Sequence, residues 1–232
     1  MTESHAYELQ KIGLMQIDRF ISDRPIDLSN LCDLLPSWIH LNRMDDLGLS
    51  WMCRSMENDL EIVTRDAFKK GPAFLQSIID PLTTTQVIPA VLELLNKNDP
   101  YRIIGFHQRI RHNDNAPYLN YYTTVKLSPE TGCFLSQSIL MQDLEQVVRI
   151  TLRQLMSESM RISDFQQFQA LSKREKEILC QVALGKSNES IGLALNISPF
   201  TVKTHRQNIY RKLEFRQIHD VIRFAMRIGL IE

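Results

Sequence analysis

Residues Leu171–Glu232 read LSKREKEILCQVALGKSNESIGLALNISPFTVKTHRQNIYRKLEFRQIHDVIRFAMRIGLIE, a stretch that punctuates itself into four helices. Ser172 followed three residues later by Glu175 has the pattern of a capping box, in which each residue satisfies an N–H group that the first helical turn leaves free. Ile178, Leu179, Val182 and Ala183 then share a face, and Gly185 supplies the stop. A second helix opens at Ser187 or Asn188 and carries Ile191, Ala194 and Leu195. The third has Ser198 as its cap, Pro199 at the first helical position and Val202, Ile209 and Leu213 as an inward stripe. The fourth, Gln217–Ile228, has Ile218, Val221, Ile222, Ala225 and Met226 as its apolar set.

The second and third helices meet at a tight turn, Asn196-Ile197, which predicts a helix-turn-helix whose third element lies in the major groove of DNA. Charge supports this. The 27 Lys and Arg balance the 27 Asp and Glu over the whole chain, but Leu171–Glu232 holds 11 basic against 6 acidic residues. Ser198–Leu213 contains Lys203, Arg206, Arg211 and Lys212 and no acid at all. With Val202, Ile209 and Leu213 inward, Lys203, Thr204, Gln207 and Arg211 project together on the other side and Arg206 lies at their flank. Lys203 can donate to guanine, Gln207 can pair with adenine, and the Thr204 methyl can touch that of thymine. Ser198 and Thr201, beside the free N–H groups of the helix start, are expected on phosphate with Arg206 and Arg211.

This segment resembles the LuxR-type helix-turn-helix domain. The pattern L-(S/T)-x-R-E-x-E-(I/V)-L is matched by Leu171–Leu179, A-x-G-x-S-N by Ala183–Asn188, (I/V)-S-x-x-T-V-K-T-H by Ile197–His205 and N-I-x-x-K-L by Asn208–Leu213. The resemblance implies a transcription regulator on double-stranded DNA, paired as a homodimer through the last helix with Val221, Ile222, Ala225 and Met226 as contacts. Three residues depart from the pattern: Ser190 stands where the family has Glu, Gly192 where it has Ala, and Glu214 where it has Gly. The first two are expected to weaken packing or cap contacts of the scaffold helix, and Glu214 to reduce DNA affinity through its charge.

The front of the chain is α+β. Residues 7–21 predict an amphipathic helix on Leu9, Ile12, Met15 or Gln16, and Arg19 or Phe20. Trp38–Asn42 and Leu49–Arg54 read as short strands around a turn at Asp45–Gly48, where Gly48 is expected to take positive φ. Helical segments over residues 57–97 are broken at Gly71-Pro72 and Asp80-Pro81. Alternation then predicts strands over Tyr101–Arg111, Tyr118–Leu127 and Cys133–Leu140, joined as an antiparallel meander. Met141–Met156 carries a narrow seam of Met141, Leu144, Val147, Val148, Leu152 and Leu155, and predicts a helix packed on the sheet or on a second copy of itself. Polar Ser157–Gln169 reads as a linker.

This order of elements resembles a PAS sensor domain with an exit helix. The expected organisation is an N-terminal helical segment (1–30), a PAS-like antiparallel sheet with helices (31–140), a signalling helix and linker (141–166) and an all-α four-helix domain (167–232). A ligand or partner sensed by the front end would control the helix-turn-helix, with RNA polymerase as a further contact. Alternatives are an acyl-homoserine-lactone-type binding domain, suggested by Trp38, Trp51, Tyr121 and Asp80, and a protein-binding adaptor. A phosphoreceiver fits poorly, because its acidic pair would be Asp45-Asp46 and its late segment is a meander. His40, His107 and His112 read as ordinary histidines and not haem ligands, and Cys133 as a plain thiol. No enzymatic motif, metal spacing or cofactor signature is present, and Gly185-Lys186-Ser187 lacks the upstream glycine of a phosphate loop. With no long apolar run and no signal-peptide pattern in residues 1–10, a cytoplasmic location away from membrane is expected.

Overall fold

A computed structural model describes residues 2–23, 28–32, 35–62, 64–155, 162–228 and 230–231. The chain forms two units, Met1–Leu155 and Met156–Glu232.

The first unit opens with α1 (Glu3–Asp23), whose Ile12, Leu14 and Ile17 are wholly buried, followed by α2 (Leu28–Cys32). β1 (Trp38–Asn42) and β2 (Leu49–Met52) form a hairpin whose positive φ belongs to Leu47 (62°), not to Gly48 as expected. Asn42 Nδ2 donates to Leu47 O at 3.0 Å and holds that conformation in place. Gly48 serves space instead, since a Cβ there would stand 2.3 Å from Arg43 Nη2.

α3 (Arg54–Asp59), α4 (Thr64–Lys70), α5 (Pro72–Ile78) and α6 (Pro81–Lys97) follow. Gly71 and Asp80 stand at the N-caps of the last two, each followed by proline at the first helical position, as the breaks in the sequence suggest. β3 (Ile103–Ile110), β4 (Leu119–Ser128) and β5 (Cys133–Leu140) complete one five-stranded sheet in the order β2-β1-β5-β4-β3, with all pairs antiparallel.

The strand period of two divides the side chains between the faces of the sheet. His40, Gln108, Thr123 and Ser138 look onto a cavity also lined by α5 and α6. Thr124, Lys126 and Gln137 belong to the opposite face: Gln10 of α1 donates to the Thr124 hydroxyl and to the Gln137 carbonyl, and Lys126 pairs with Asp18 of α1.

After a 3-10 turn (Met141–Asp143), α7 (Leu144–Leu155) packs Leu144, Val147 and Val148 against Ala6 of α1 and Ile139 of β5. The seam therefore finds both the sheet and a helix of its own chain; the side chains of Leu152 and Leu155 lie outside the described residues. Gly13 marks the crossing of α1 and α7, where a Cβ would meet Thr151 Cγ2 at 3.1 Å.

Among its described residues the second unit holds five helices: α8 (Ile162–Gln169), α9 (Lys173–Ala183), α10 (Asn188–Leu195), α11 (Pro199–Lys212) and α12 (Ile218–Arg227). The reading of residues 157–169 as linker is corrected for 162–169, and residues 157–161 lie outside the described ones. Polar composition conceals two phenylalanines three apart on one helical face, and Phe165 and Phe168 are fully buried. Asp164, on the same helix, accepts from Arg227 of α12 at 2.7 and 3.2 Å, so α8 is tied to the domain by a paired carboxylate as well as by its aromatic rings. Among the described residues, no helix is long and apolar enough to cross a membrane.

Candidate functional site

The C-terminal unit is built to present α11. The N-cap of α9 is the expected capping box: Ser172 Oγ accepts from Glu175 N at 3.3 Å, and Glu175 Oε2 accepts from Ser172 N at 2.8 Å. The same carboxylate oxygen takes Lys212 Nζ at 2.7 Å, which fastens the last turn of α11 to the first turn of α9. Burial works against the Glu175 charge, but the bonds from Lys212 and Ser172 outweigh it and hold the carboxyl below its ordinary pKa. Both Lys212 and Lys203 are exposed, but Lys212 is committed to the Glu175 pair.

Between α10 and α11 the chain turns on Asn196, in the left-handed region at φ 53°. Ile197 N donates to Gly192 O at 3.0 Å, and a Cβ on Gly192 would stand 2.7 Å from Ile197 O. In this chain Ile197 O thus occupies the space that the Cβ of the family's alanine would need, and the turn packs closely on Gly192. Ser190 leaves the cap intact, since its N–H donates to Ser187 Oγ at 3.2 Å. Glu214, the third departure, sits at φ 55°, a left-handed position that suits the glycine it replaces.

Along α11 and its C-cap, Val202, Ile209 and Leu213 are all buried, as the stripe predicts. Lys203, Thr204, Gln207 and Arg211 are all exposed on the outer side. Arg211 Nη2 donates to Asn208 Oδ1 at 3.1 Å. Half-buried Arg206 gives Nη1 to Asn188 Oδ1 at 2.8 Å, so it braces α11 against the start of α10 while lying at the flank of the exposed face. At the helix start Thr201 N donates to Ser198 Oγ at 3.0 Å, and the two hydroxyls lie 2.8 Å apart.

Sequence reasoning missed Phe200. This ring is 78% exposed, and helical spacing of three, four and seven residues puts it on the face of Lys203, Thr204 and Gln207. Thr204 Oγ1 donates back to Phe200 O at 3.2 Å, which leaves the Thr204 methyl as the group turned outward. That spacing was available in the sequence, but an apolar residue in the first turn is ordinarily assigned to the core.

Of the four residues expected to join two copies, Val221 and Ala225 are wholly buried in the interior of their own domain and are unavailable to a partner. Ile222 is half-buried and Met226 is 49% exposed; Ile218, at 45%, extends the same stripe. The core face of α12 instead includes Phe224, whose ring meets that of Phe215 at 5.3 Å.

In the N-terminal unit, the cavity on the sheet has a volume of about 160 Å³. Nearby, Trp38 stacks on Tyr121 at 4.7 Å and donates to Asp59 Oδ2 at 2.7 Å, while His112 bonds the Tyr121 hydroxyl at 2.8 Å. Trp38 and Tyr121 are thus adjacent, but Trp51 and Asp80 do not line the cavity with Trp38.

A compact helical domain that offers an exposed basic helix beyond a tight turn defines a helix-turn-helix DNA-binding module. Residues 169–225 match the model of the family described as bacterial regulatory proteins, luxR family, and this segment is a LuxR-type helix-turn-helix domain. Among curated relatives, the chain is 49% identical over 53 residues to the putative HTH-type transcriptional regulator YhjB of Escherichia coli, covering 23% of this chain and 26% of that protein. It is 34% identical over 99 residues to the response regulator protein TodT of Pseudomonas putida, covering 41% and 44% respectively. It is 39% identical over 61 residues to the transcriptional regulatory protein FixJ of Rhizobium meliloti, covering 26% and 30%. The chain thus spans less than half the length of these relatives. Among solved structures, VqmA of Vibrio cholerae in a ligand–DNA complex shares 12% identity over 88% of this chain and 89% of that one, at a TM-score of 0.35.

Proposed function

We propose that this chain is a cytoplasmic, sequence-specific DNA-binding transcription regulator in which the N-terminal domain senses a small molecule and controls the helix-turn-helix. One observation carries the reading: Lys203, Thr204, Gln207 and Arg211 are exposed together on α11, while the inner face of that helix is fixed by Val202 and Ile209. A domain built only for packing has no use for such a face. Lys203 and Gln207 read base edges, and Ser198, Thr201, Arg206 and Arg211 hold phosphates.

The regulator acts as a homodimer, and the exposed stripe Ile218, Ile222 and Met226 of α12 is the contact, replacing the buried Val221 and Ala225 of the sequence reading. The order of α1, the β1–β2 hairpin, four helices, the β3–β4–β5 meander and the exit helix α7 supports a PAS-like assignment for the front domain. α7 packs against α1, which also holds the far face of the sheet through Gln10 and Asp18. Events in the sheet thereby reach the exit helix through α1 as well as directly from β5.

The test is selection of duplex DNA by the full-length protein from a randomised pool. Recovery of one consensus with two-fold or repeated half-sites is the expected result. A protein shown to be folded that enriches nothing, with or without its front domain, contradicts the reading.

A further inference from the structure

The N-terminal cavity has a size, a charge character and one unfulfilled polar group, and together these specify what it holds. Its volume of about 160 Å³ is close to the ~150 Å³ of an engineered apolar cavity that takes up benzene. Space of this size takes a single substituted ring in full, whereas an eight-carbon acyl chain with a lactone head would have to extend through the open side of the pocket.

Val87 and Val91 of α6 face Phe106, Val125 and Phe134 of the sheet across the cavity, so its walls are mainly apolar. Among the described residues neither lysine nor arginine lines it, and the one acid among them, Asp46, is held by Arg43 Nη2 at 2.7 Å. A ligand carboxylate or phosphate would lie there without a counter-charge, which is prohibitive in an apolar site. The occupant is therefore neutral.

Most polar groups on the sheet side already have partners. Gln108 donates to the hydroxyls of Thr123 and Ser138, which lie 2.8 Å from one another. Asn42 is engaged by Leu47 O and by Ser136 Oγ. His40 stands apart: the residue lines the cavity, is over nine-tenths buried, and its Nδ1 has no hydrogen-bond partner among the described residues. Burial lowers its pKa to about 4, so the ring is neutral at pH 7 and can act as both donor and acceptor. Leaving a buried polar atom unpaired costs free energy, which a turn of the ring toward a ligand hydroxyl would restore.

We propose that this cavity binds a neutral, largely apolar molecule of about one ring's size, anchored by a hydrogen bond to the imidazole of His40. The proposal deepens the sensor reading of the front domain and rests on it. The anchor lies on β1, where His40 pairs with Ser136 of β5, the strand that leads into α7.

The experiment measures binding to the full-length protein, without DNA, by calorimetry and NMR. Four probes are used: 4-methylphenol, 1,4-xylene, 4-methylbenzoate and N-octanoyl-homoserine lactone. We expect 4-methylphenol and 1,4-xylene to bind and the benzoate not to bind. In His40→Phe the affinity ratio of the phenol to xylene should fall about tenfold, because the buried hydroxyl then lacks its partner. Val91→Phe, which fills the cavity from α6, should abolish binding of both while the protein remains folded by circular dichroism.

Equal or tighter binding of the benzoate, preference for the octanoyl lactone, an unchanged ratio in His40→Phe, or no binding of any ring compound would each overturn the proposal. None of these outcomes touches DNA selection by the C-terminal domain, so the two readings fail separately.

Discussion

Lys212 Nζ lies 2.7 Å from Glu175 Oε2, and the carboxylate that receives it is also the one that closes the capping box of α9. One side chain thus serves a helix cap and the junction between α9 and the recognition helix. Glu175→Ala is expected to destabilise the C-terminal domain by about 2 kcal/mol, combining a lost cap with a partly buried pair. The Glu175 pKa is depressed in the folded state, so its contribution is full above the ordinary carboxylate range and is lost as pH falls through the folded value. Urea denaturation at pH 7 and at acid pH checks both: the difference between native protein and variant should shrink at the lower pH.

Glu214 occupies φ 55°, where a Cβ costs energy that glycine avoids. Glu214→Gly is expected to raise stability by about 0.5 to 1 kcal/mol, the relief of strain exceeding the added freedom of the unfolded chain. A fall in the urea midpoint would show that the left-handed position carries no penalty here.

Phe200 is exposed at the start of α11 and touches the recognition face instead of the core. Phe200→Ala should leave the melting temperature within a degree or so of the native protein, as surface substitutions do. Its affinity for selected DNA should drop about fivefold to tenfold, with the loss confined to sites bearing thymine opposite the ring. Replacing those thymines by uracil, which lacks the methyl, should reproduce the loss in the native protein and add little in the variant.

The two faces of α12 predict opposite outcomes. Met226→Glu together with Ile222→Glu should yield a folded monomer by analytical ultracentrifugation. Val221→Glu should unfold the domain, because it buries an unpaired charge among core residues. A double variant that stays dimeric would move the contact away from this helix.

His40 predicts a pH dependence in the front domain. Its pKa of about 4 lies below the ordinary 6.5, so the unfolded chain binds the proton more readily between those values. Stability is then full above pH 6.5 and declines as pH falls toward 4, by up to about 3 kcal/mol. His40→Phe should flatten that part of the stability profile measured by urea denaturation.

Much of this architecture is legible in the sequence where one strong local signal acts alone. Ser172 with Glu175, Ser198 with Pro199, and the alternation of β3, β4 and β5 each specify their element through groups only a few residues apart. Signals that depend on distant partners are not legible. Phe165 and Phe168 sit in a polar run, and their burial follows from packing within a domain that the local composition does not reveal. The left-handed Leu47 needs the Asn42 side chain to hold it, while Gly48 beside it offers the more obvious choice. The cavity unites side chains from β1, β3, β4, β5, α5 and α6, and neither its volume nor the orphan nitrogen of His40 is a property of any one segment.

The most direct test of the account is the affinity of the full-length protein for its selected DNA across a range of salt, beside the Lys203→Ala, Gln207→Ala variant. The account predicts affinity that falls steeply and log-linearly with salt, and loss in the variant of the preference for selected over random DNA. The variant should keep part of its non-specific binding through Arg206 and Arg211. A variant that still prefers the selected sequence as strongly as the native protein would contradict the assignment of α11 as the reading helix.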